Sequence, residues 1–241
     1  MPPMRILVLQ HDDDSGLDAL EQPLRAAGAE IELWFSHRTP EPEHPLEAYD
    51  GLIVLGGIAN PDEDAIHPWL TVERAMIEEA LRREVPVLGV CLGGQLLAQA
   101  AGGVAFRAPE GPEIGWNVIQ GTDEQPEDEL FGELPSAFQT FEWHSFCFTP
   151  PEDAVLLYGT ERFNQAFRYG RNAWGTQFHF EALPATILDW LETARDEAIA
   201  HDVDVSAVRD ATERYGATQV EVCHVLARRF GAIVGRYAGR R

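Results

Sequence analysis

Val85-Pro86-Val87-Leu88-Gly89-Val90-Cys91-Leu92-Gly93-Gly94-Gln95 is an almost wholly apolar run that breaks at a glycine-flanked cysteine. A run apolar at every position, not at alternate ones, marks a strand covered on both faces, as in the middle of a parallel sheet. Its surroundings fit that reading. Strand-like runs at 5–10, 31–35 and 50–55 alternate with helical patterns at 16–27 and 68–84, the latter striped by Leu70, Ala75, Ile77, Ala80 and Leu81. A small, buried helix is read at 94–101, directly after the cysteine. Such alternation predicts an α/β fold: a mostly parallel sheet flanked by helices. The stretch 104–169 carries more Pro, Gly and short strands and reads as an antiparallel extension. From 184 onward strand signals stop, and helices are read at 184–201, 205–214 and 218–237. The chain thus divides into an α/β domain over 1–183 and a helical C-terminal extension over 184–241, packed on that domain or at an oligomer interface.

Composition narrows the function. The 241 residues carry a formal charge of -22, with 40 acidic side chains against 18 basic ones, all of them Arg. So acidic a chain repels nucleic acid and anionic membranes, which need clustered positive charge. Without lysine there is no Schiff-base chemistry. No apolar run reaches the ~20 residues that span a bilayer. The opening residues 1–5 are too poorly patterned for a secretory leader, so a cytoplasmic location is expected. Three cysteines, at 91, 147 and 223, form no C-x-x-C pair and suggest neither zinc nor a disulfide framework.

Gly89-x-Cys91-x-Gly93 between a buried strand and a helix has the layout of a nucleophile elbow. A sharp strand-to-helix turn strains the central residue, so its neighbours two positions away must be small. The free N–H groups of a helix N-terminus favour an anion there, and the Leu92 N–H can bind a developing oxyanion. Taken alone, the same turn could be inert packing. A second piece is Gln177-Phe178-His179-Phe180-Glu181. In a strand, His179 and Glu181 project to the same side, so the carboxylate can orient the imidazole while its other nitrogen reaches a thiol. A His-x-Glu metal pair is the alternative, but no further ligand has suitable spacing. A third piece is Leu55-Gly56-Gly57-Ile58-Ala59-Asn60 at a strand's carboxyl end, where open α/β sheets place their sites. It makes Gly57 a candidate second oxyanion donor, with Gly56 and Asn60 beside the substrate.

These pieces, with His67-Pro68-Trp69-Leu70, Glu113-Ile114-Gly115-Trp116, Trp143-His144-Ser145 and Gln165-Ala166-Phe167-Arg168-Tyr169-Gly170, occur in an order and spacing that resembles the class I (triad) glutamine amidotransferases, especially the stand-alone, GMP-synthase-like branch. The resemblance runs over about 5–183 and implies a flavodoxin-like fold. It also implies a Cys91–His179–Glu181 triad, an oxyanion hole of Gly57 and Leu92, and hydrolysis of the glutamine amide through a γ-glutamyl thioester. Gln95 matches a position near bound glutamine, and His144-Ser145 matches a segment whose backbone holds the α-amino and carboxylate groups. No cofactor or metal is implied. Any ammonia acceptor would sit on a separate synthase subunit, and a homodimer is left open. Three departures stand out: Phe180 and Ile58 where the family often has Pro, and Phe146 where this branch commonly has Asp. The last leaves two other readings open: a stand-alone hydrolase of another γ-glutamyl amide, or a catalytically silent binding module. Cys147, between Phe146 and Phe148, and Cys223, on an apolar helix face, read as core. Arg228, Arg229, Arg236, Arg240 and Arg241 should pack on the chain's own acidic surface or on a partner.

Overall fold

Apolar side chains alternate between the two faces of the central strands, and this alternation builds two cores. Here β1 (Met4–Leu9), β3 (Gly51–Val54) and β4 (Val87–Val90) send Ile6, Val8, Ile53, Leu88 and Val90 to one face. Leu7, Leu9, Leu52, Val54 and Val87 go to the other. The first face is covered by α1 (Glu21–Ala26) and α6 (Val205–Ala238), the second by α2 (Trp69–Arg82) and α3 (Leu92–Ala100). The computed structural model describes residues 4–39 and 41–240; the expectation that residues 1–5 form no secretory leader falls in part outside them, at residues 1–3, as does Arg241.

With β2 (Ala29–Trp34) and β11 (Ala173–Thr176), these strands form the parallel run β2-β1-β3-β4-β11. The sheet continues antiparallel through β10 (Asn164–Tyr169), β9 (Val155–Gly159), β6 (Glu113–Gly121) and β7 (Ala137–His144), giving nine strands. A separate two-stranded ribbon joins β5 (Val104–Arg107) to β8 (Phe146–Thr149). The expected α/β architecture and its antiparallel extension are therefore both present. Strand order departs in opposite directions from β1, to β2 on one side and β3 on the other, so the chain's switch point lies between β1 and β3.

Several local expectations are corrected. The helix expected over 16–27 is a short 3-10 turn leading into α1. The helix expected at 94–101 starts earlier, at Leu92, so its first turn lies directly against Cys91. The segment 184–201 is two helices, α4 (Pro184–Thr193) and α5 (Arg195–Ala200), because Ala194 leaves helical geometry at ψ 27. The two helices expected at 205–214 and 218–237 are one 34-residue helix, α6. Its buried residues, Val208, Thr212, Gln219, Val222, Leu226, Phe230 and Ile233 among them, keep helical spacing through Gly216. Tertiary burial there outweighs the low helix propensity of Gly. Among the described residues, no helix is long and apolar enough to cross a membrane.

Candidate active site

Cys91 follows β4 and precedes α3 with φ 51 and ψ -108, a left-handed backbone that a side chain adopts only when its surroundings enforce it. The enforcement is visible. The Cys91 N–H donates to the Thr176 carbonyl at 2.9 Å, and the Gly93 N–H donates to the Leu55 carbonyl at 3.2 Å, tying the turn to the ends of β11 and β3. A side chain at Gly89 would meet the Gly93 carbonyl at 2.5 Å, and one at Gly93 would collide with the Val54 carbonyl. The elbow therefore needs both glycines.

His179 and Glu181 come together, though by a different route from the one expected. Strand β11 ends at Thr176, and residues 177–181 form an irregular bend, not a continued strand. The pairing is made by that bend: His179 Nδ1 lies 2.7 Å from Glu181 Oε1, with both side chains buried. Because the carboxylate accepts at Nδ1, Nε2 is the nitrogen left for the thiol. The His179 N–H is anchored to the Phe141 carbonyl at 2.9 Å, and the Trp190 ring packs edge-on against the imidazole at 5.1 Å. Burial by itself disfavours a charged imidazole; the Glu181 carboxylate and then the Cys91 charge outweigh it and raise His179 well above its ordinary value. Cys91 and His179 are close neighbours: a side chain on Gly56 would meet His179 Cε1 at 2.8 Å and Cys91 Cβ at 3.5 Å. The thiol's hydrogen-bond contacts in this state run to the Trp143 carbonyl and from Gln177 Nε2, each at 3.8 Å. Such slack is common before substrate tightens a site.

A cavity of about 340 Å³ opens over the thiol, lined by Gly57, Asn60, Cys91, Leu92, Gln95, His144, Ser145, Phe146 and His179 among others. Gly56 lies beneath it, against His179 and Cys91. Among the described residues, the N–H groups of Gly57 and Leu92 have no protein acceptor, whereas the Ile58 N–H donates to Asp12 Oδ2 at 2.9 Å. Gln95 is committed within the wall: its Nε2 donates to the Phe146 carbonyl at 2.9 Å. The His144 side chain is likewise engaged, with Nδ1 donating to the same carbonyl at 2.9 Å, so this segment offers mainly backbone to the cavity. The Phe146 ring is buried, with the Arg107 guanidinium 4.9 Å from its centre.

Cys147 and Cys223 are buried, and burial pushes the thiols up, Cys147 to about 11 and Cys223 well above the ordinary range. Among the described residues, two groups have ligand atoms close enough to share a metal ion: Glu32, Glu43 and His44 at the surface, and Glu113, Glu142 and His144 in the interior.

The sequence and the fold coincide with a known group. The glutamine amidotransferase class-I family model matches residues 11–189, and the chain belongs to that family. A glutamine amidotransferase from Thermotoga maritima superposes with a TM-score of 0.87 at 30% identity, covering 96% of this chain and 99% of that one. Gamma-glutamyl peptidase 4 of Arabidopsis thaliana is 32% identical over 54% of this chain and 54% of its own, so the chain spans about half the length of that relative. An imidazole glycerol phosphate synthase subunit from Synechococcus sp. is 29% identical over 75% of this chain and 88% of its own.

Sequence reasoning missed part of the surroundings. Trp190 and Glu197 reach the cavity from α4 and α5, and Asp14 and Ser15 from the loop after β1. His11, also just past β1, packs against Gly57. A polar residue at the carboxyl end of a central strand was the available signal for His11; Trp190 and Glu197 left none, since only the folding back of the helices brings them there.

Proposed function

We propose that the protein hydrolyses a γ-glutamyl amide, with glutamine as the first substrate, through a thioester on Cys91. His179 Nε2 takes the thiol proton as Sγ attacks the side-chain carbonyl carbon, while Glu181 holds the imidazole's orientation and balances its charge. The oxygen that gains charge is received by the N–H groups of Gly57 and Leu92. The C–N bond breaks as His179 returns the proton to the leaving nitrogen, releasing ammonia. Water, activated by the same imidazole, then cleaves the thioester to glutamate and free thiol. Gly56, Asn60, Gln95, His144, Ser145 and Phe146 form the substrate wall in this reading. The observation that carries it is the strained Cys91 backbone at a strand–helix elbow, facing an imidazole held at 2.7 Å by a buried carboxylate.

In this reading no cofactor takes part, and residues 184–241 are a helical extension packed on the amidotransferase domain of 1–183. Ammonia passes to a separate synthase subunit. The subunit nature of the Synechococcus relative supports that arrangement. A second reading is favoured by one residue: Phe146 stands where an acid is common in the resembling branch, and a relative bears the name gamma-glutamyl peptidase. In that reading the amide cleaved is a larger γ-glutamyl conjugate.

The test is glutamate and ammonia release from glutamine, beside amine release from a panel of γ-glutamyl amides and peptides, for wild type and Cys91→Ala. Turnover by the wild type, lowered at least about 10³-fold in Cys91→Ala, is expected. Turnover of conjugates but not glutamine selects the second reading. Equal activity of wild type and Cys91→Ala, or none on any γ-glutamyl amide, overturns the proposal.

A further inference from the structure

Beside the elbow lies a buried polar chain that the hydrolytic steps do not use. His11, 3% exposed, sits just beyond β1 with Nδ1 3.0 Å from the Gly56 carbonyl and Nε2 2.8 Å from Glu73 Oε2. Glu73, on α2, is fully buried, and its other oxygen accepts from Ser36 Oγ at 2.5 Å. The imidazole stacks on Trp69 at 5.0 Å and 16°. This assembly involves Trp69 of the His67-Pro68-Trp69-Leu70 motif, which otherwise has no part in the chemistry.

The available donors and acceptors fix the proton. A carbonyl oxygen only accepts, so His11 Nδ1 must carry hydrogen and donate to Gly56. At the other nitrogen the Glu73 carboxylate accepts from Nε2–H, so the ring is held with a hydrogen on each nitrogen and Nδ1 keeps its own. Burial opposes a charged ring, but the Glu73 charge and hydrogen bond outweigh it and raise the His11 pKa.

The consequence lies on the other side of one peptide plane. The Gly56 carbonyl and the Gly57 N–H belong to the same planar, trans unit and point in opposite directions. Drawing the carbonyl toward His11 turns the Gly57 N–H away from His11. One residue further on, Asp12 Oδ2 accepts the Ile58 N–H. The loop is thus clamped on both flanks, and among the described residues the Gly57 N–H is the donor between the clamps that is left to a ligand. Glycine cannot supply this rigidity from its own side chain; His11 can, because its Cβ would lie 2.8 Å from a Cβ at Gly57.

We propose that His11, braced by Glu73, is a positioning residue that locks the Gly56–Gly57 peptide so that the Gly57 N–H is aimed at the oxyanion formed on the Cys91 adduct. The proposal rests on the hydrolytic reading above. His11 touches no reacting atom; it removes the need to reorient a flexible glycine peptide as charge develops.

The experiment compares wild type with His11→Leu, His11→Asn and Glu73→Gln on whichever γ-glutamyl amide the wild type cleaves. Four quantities are read: kcat, KM, affinity for glutamate γ-semialdehyde, and the rate of Cys91 alkylation by iodoacetamide. The aldehyde adds the Cys91 thiol across its carbonyl and gives a tetrahedral adduct, whereas alkylation places no charge in the oxyanion pocket. His11→Leu is expected to lower kcat roughly 10²-fold, a loss typical of a misplaced group. Aldehyde affinity should fall in parallel, with KM and alkylation rate unchanged. His11→Asn, which keeps an N–H donor near Gly56, should recover part of the loss. Should the leucine variant not fold, parallel losses of kcat and aldehyde affinity in His11→Asn and Glu73→Gln, with alkylation retained, support the positioning role equally. Unchanged kcat, or alkylation falling together with kcat, overturns that role. A wild type without turnover overturns the hydrolytic reading itself and leaves no oxyanion for His11 to serve.

Discussion

His144 donates from Nδ1 to the Phe146 carbonyl, and its Nε2 stands 3.2 Å from Glu113 Oε2 and 3.4 Å from Glu142 Oε2. The Glu113 contact is a hydrogen bond; the Glu142 contact is a looser ion-pair contact, and among the described residues neither Glu142 oxygen has a hydrogen-bond partner. Burial opposes the charged imidazole, but the two carboxylates prevail and raise His144 to about 9. Burial likewise raises Glu142 to about 7, although His144 pulls it down. A histidine whose pKa is higher folded than unfolded contributes stability that is complete below the unfolded value of about 6.5. That contribution disappears as pH rises through the folded value. The melting temperature should therefore fall as pH rises from about 6.5 to about 9. In Glu142→Gln, with one of the two carboxylates gone, the fall should be smaller and end at lower pH. Thermal unfolding across this range checks it, and a flat profile in the wild type would sink it. The positions of His144, Cys91, His179 and Glu181 were all legible from motif order. The partners of His144 were not, because Glu113 reaches it across the β6–β7 pairing.

Helix α6 shows what an element can do from a distance. Its Gln219 Oε1 accepts from the Phe141 N–H at 2.9 Å and Thr140 Oγ1 at 3.2 Å, while Nε2 donates to the Ala182 carbonyl at 3.1 Å. Phe141 in turn holds His179 through its carbonyl. One buried side chain thus joins β7 to the segment that follows His179 and Glu181. Gln219→Ala leaves the Phe141 N–H buried and unpaired, a loss of about 1–3 kcal/mol. A lower denaturant midpoint with an unchanged m-value is the expected result, and an unshifted midpoint would refute the tether. Strands β1, β3 and β4 were readable as elements because burial on both faces leaves near-continuous apolar runs. The bend at residues 177–181 was not, since His-x-Glu alternation looks the same in a strand and in a turn that happens to bring both side chains together.

At the scale of the molecule, the candidate site gathers at the carboxyl ends of four neighbouring strands, β1, β3, β4 and β11, which are followed by His11, Gly56 and Gly57, Cys91, and His179. The C-terminal helices close over the same body. Val222, Cys223, Leu226, Ala227, Phe230, Ile233 and Val234 of α6 are buried in the core that contains Ile6, Val8 and Ile53. Two of the five C-terminal arginines meet the chain's own acids, Arg229 with Glu133 and Arg236 with Glu129, while Arg240 lies over the Tyr237 ring. Those exposed ion pairs contribute little, about 0–1 kcal/mol each; the apolar face is what matters. A chain ending at residue 203 should expose that sheet face and aggregate or lose its cooperative unfolding transition. Soluble yield and thermal unfolding of the truncated chain decide it, and wild-type behaviour in both would refute the packing argument.

The amino-acid sequence by itself determined the α/β alternation, the elbow at Cys91 and the identities of His179 and Glu181. Each is written in local spacing: apolar runs for buried strands, small residues flanking a strained turn, and a histidine near a carboxylate. Tertiary structure alone decided the single long α6, the bend that pairs His179 with Glu181, and the His11–Glu73 brace behind Gly57. These depend on contacts between segments 37 to 79 residues apart in examples such as Ser36–Glu73, His11–Glu73 and Thr140–Gln219. Such contacts form only when the sheet order has brought strand ends and helix faces together, so local periodicity carries no trace of them.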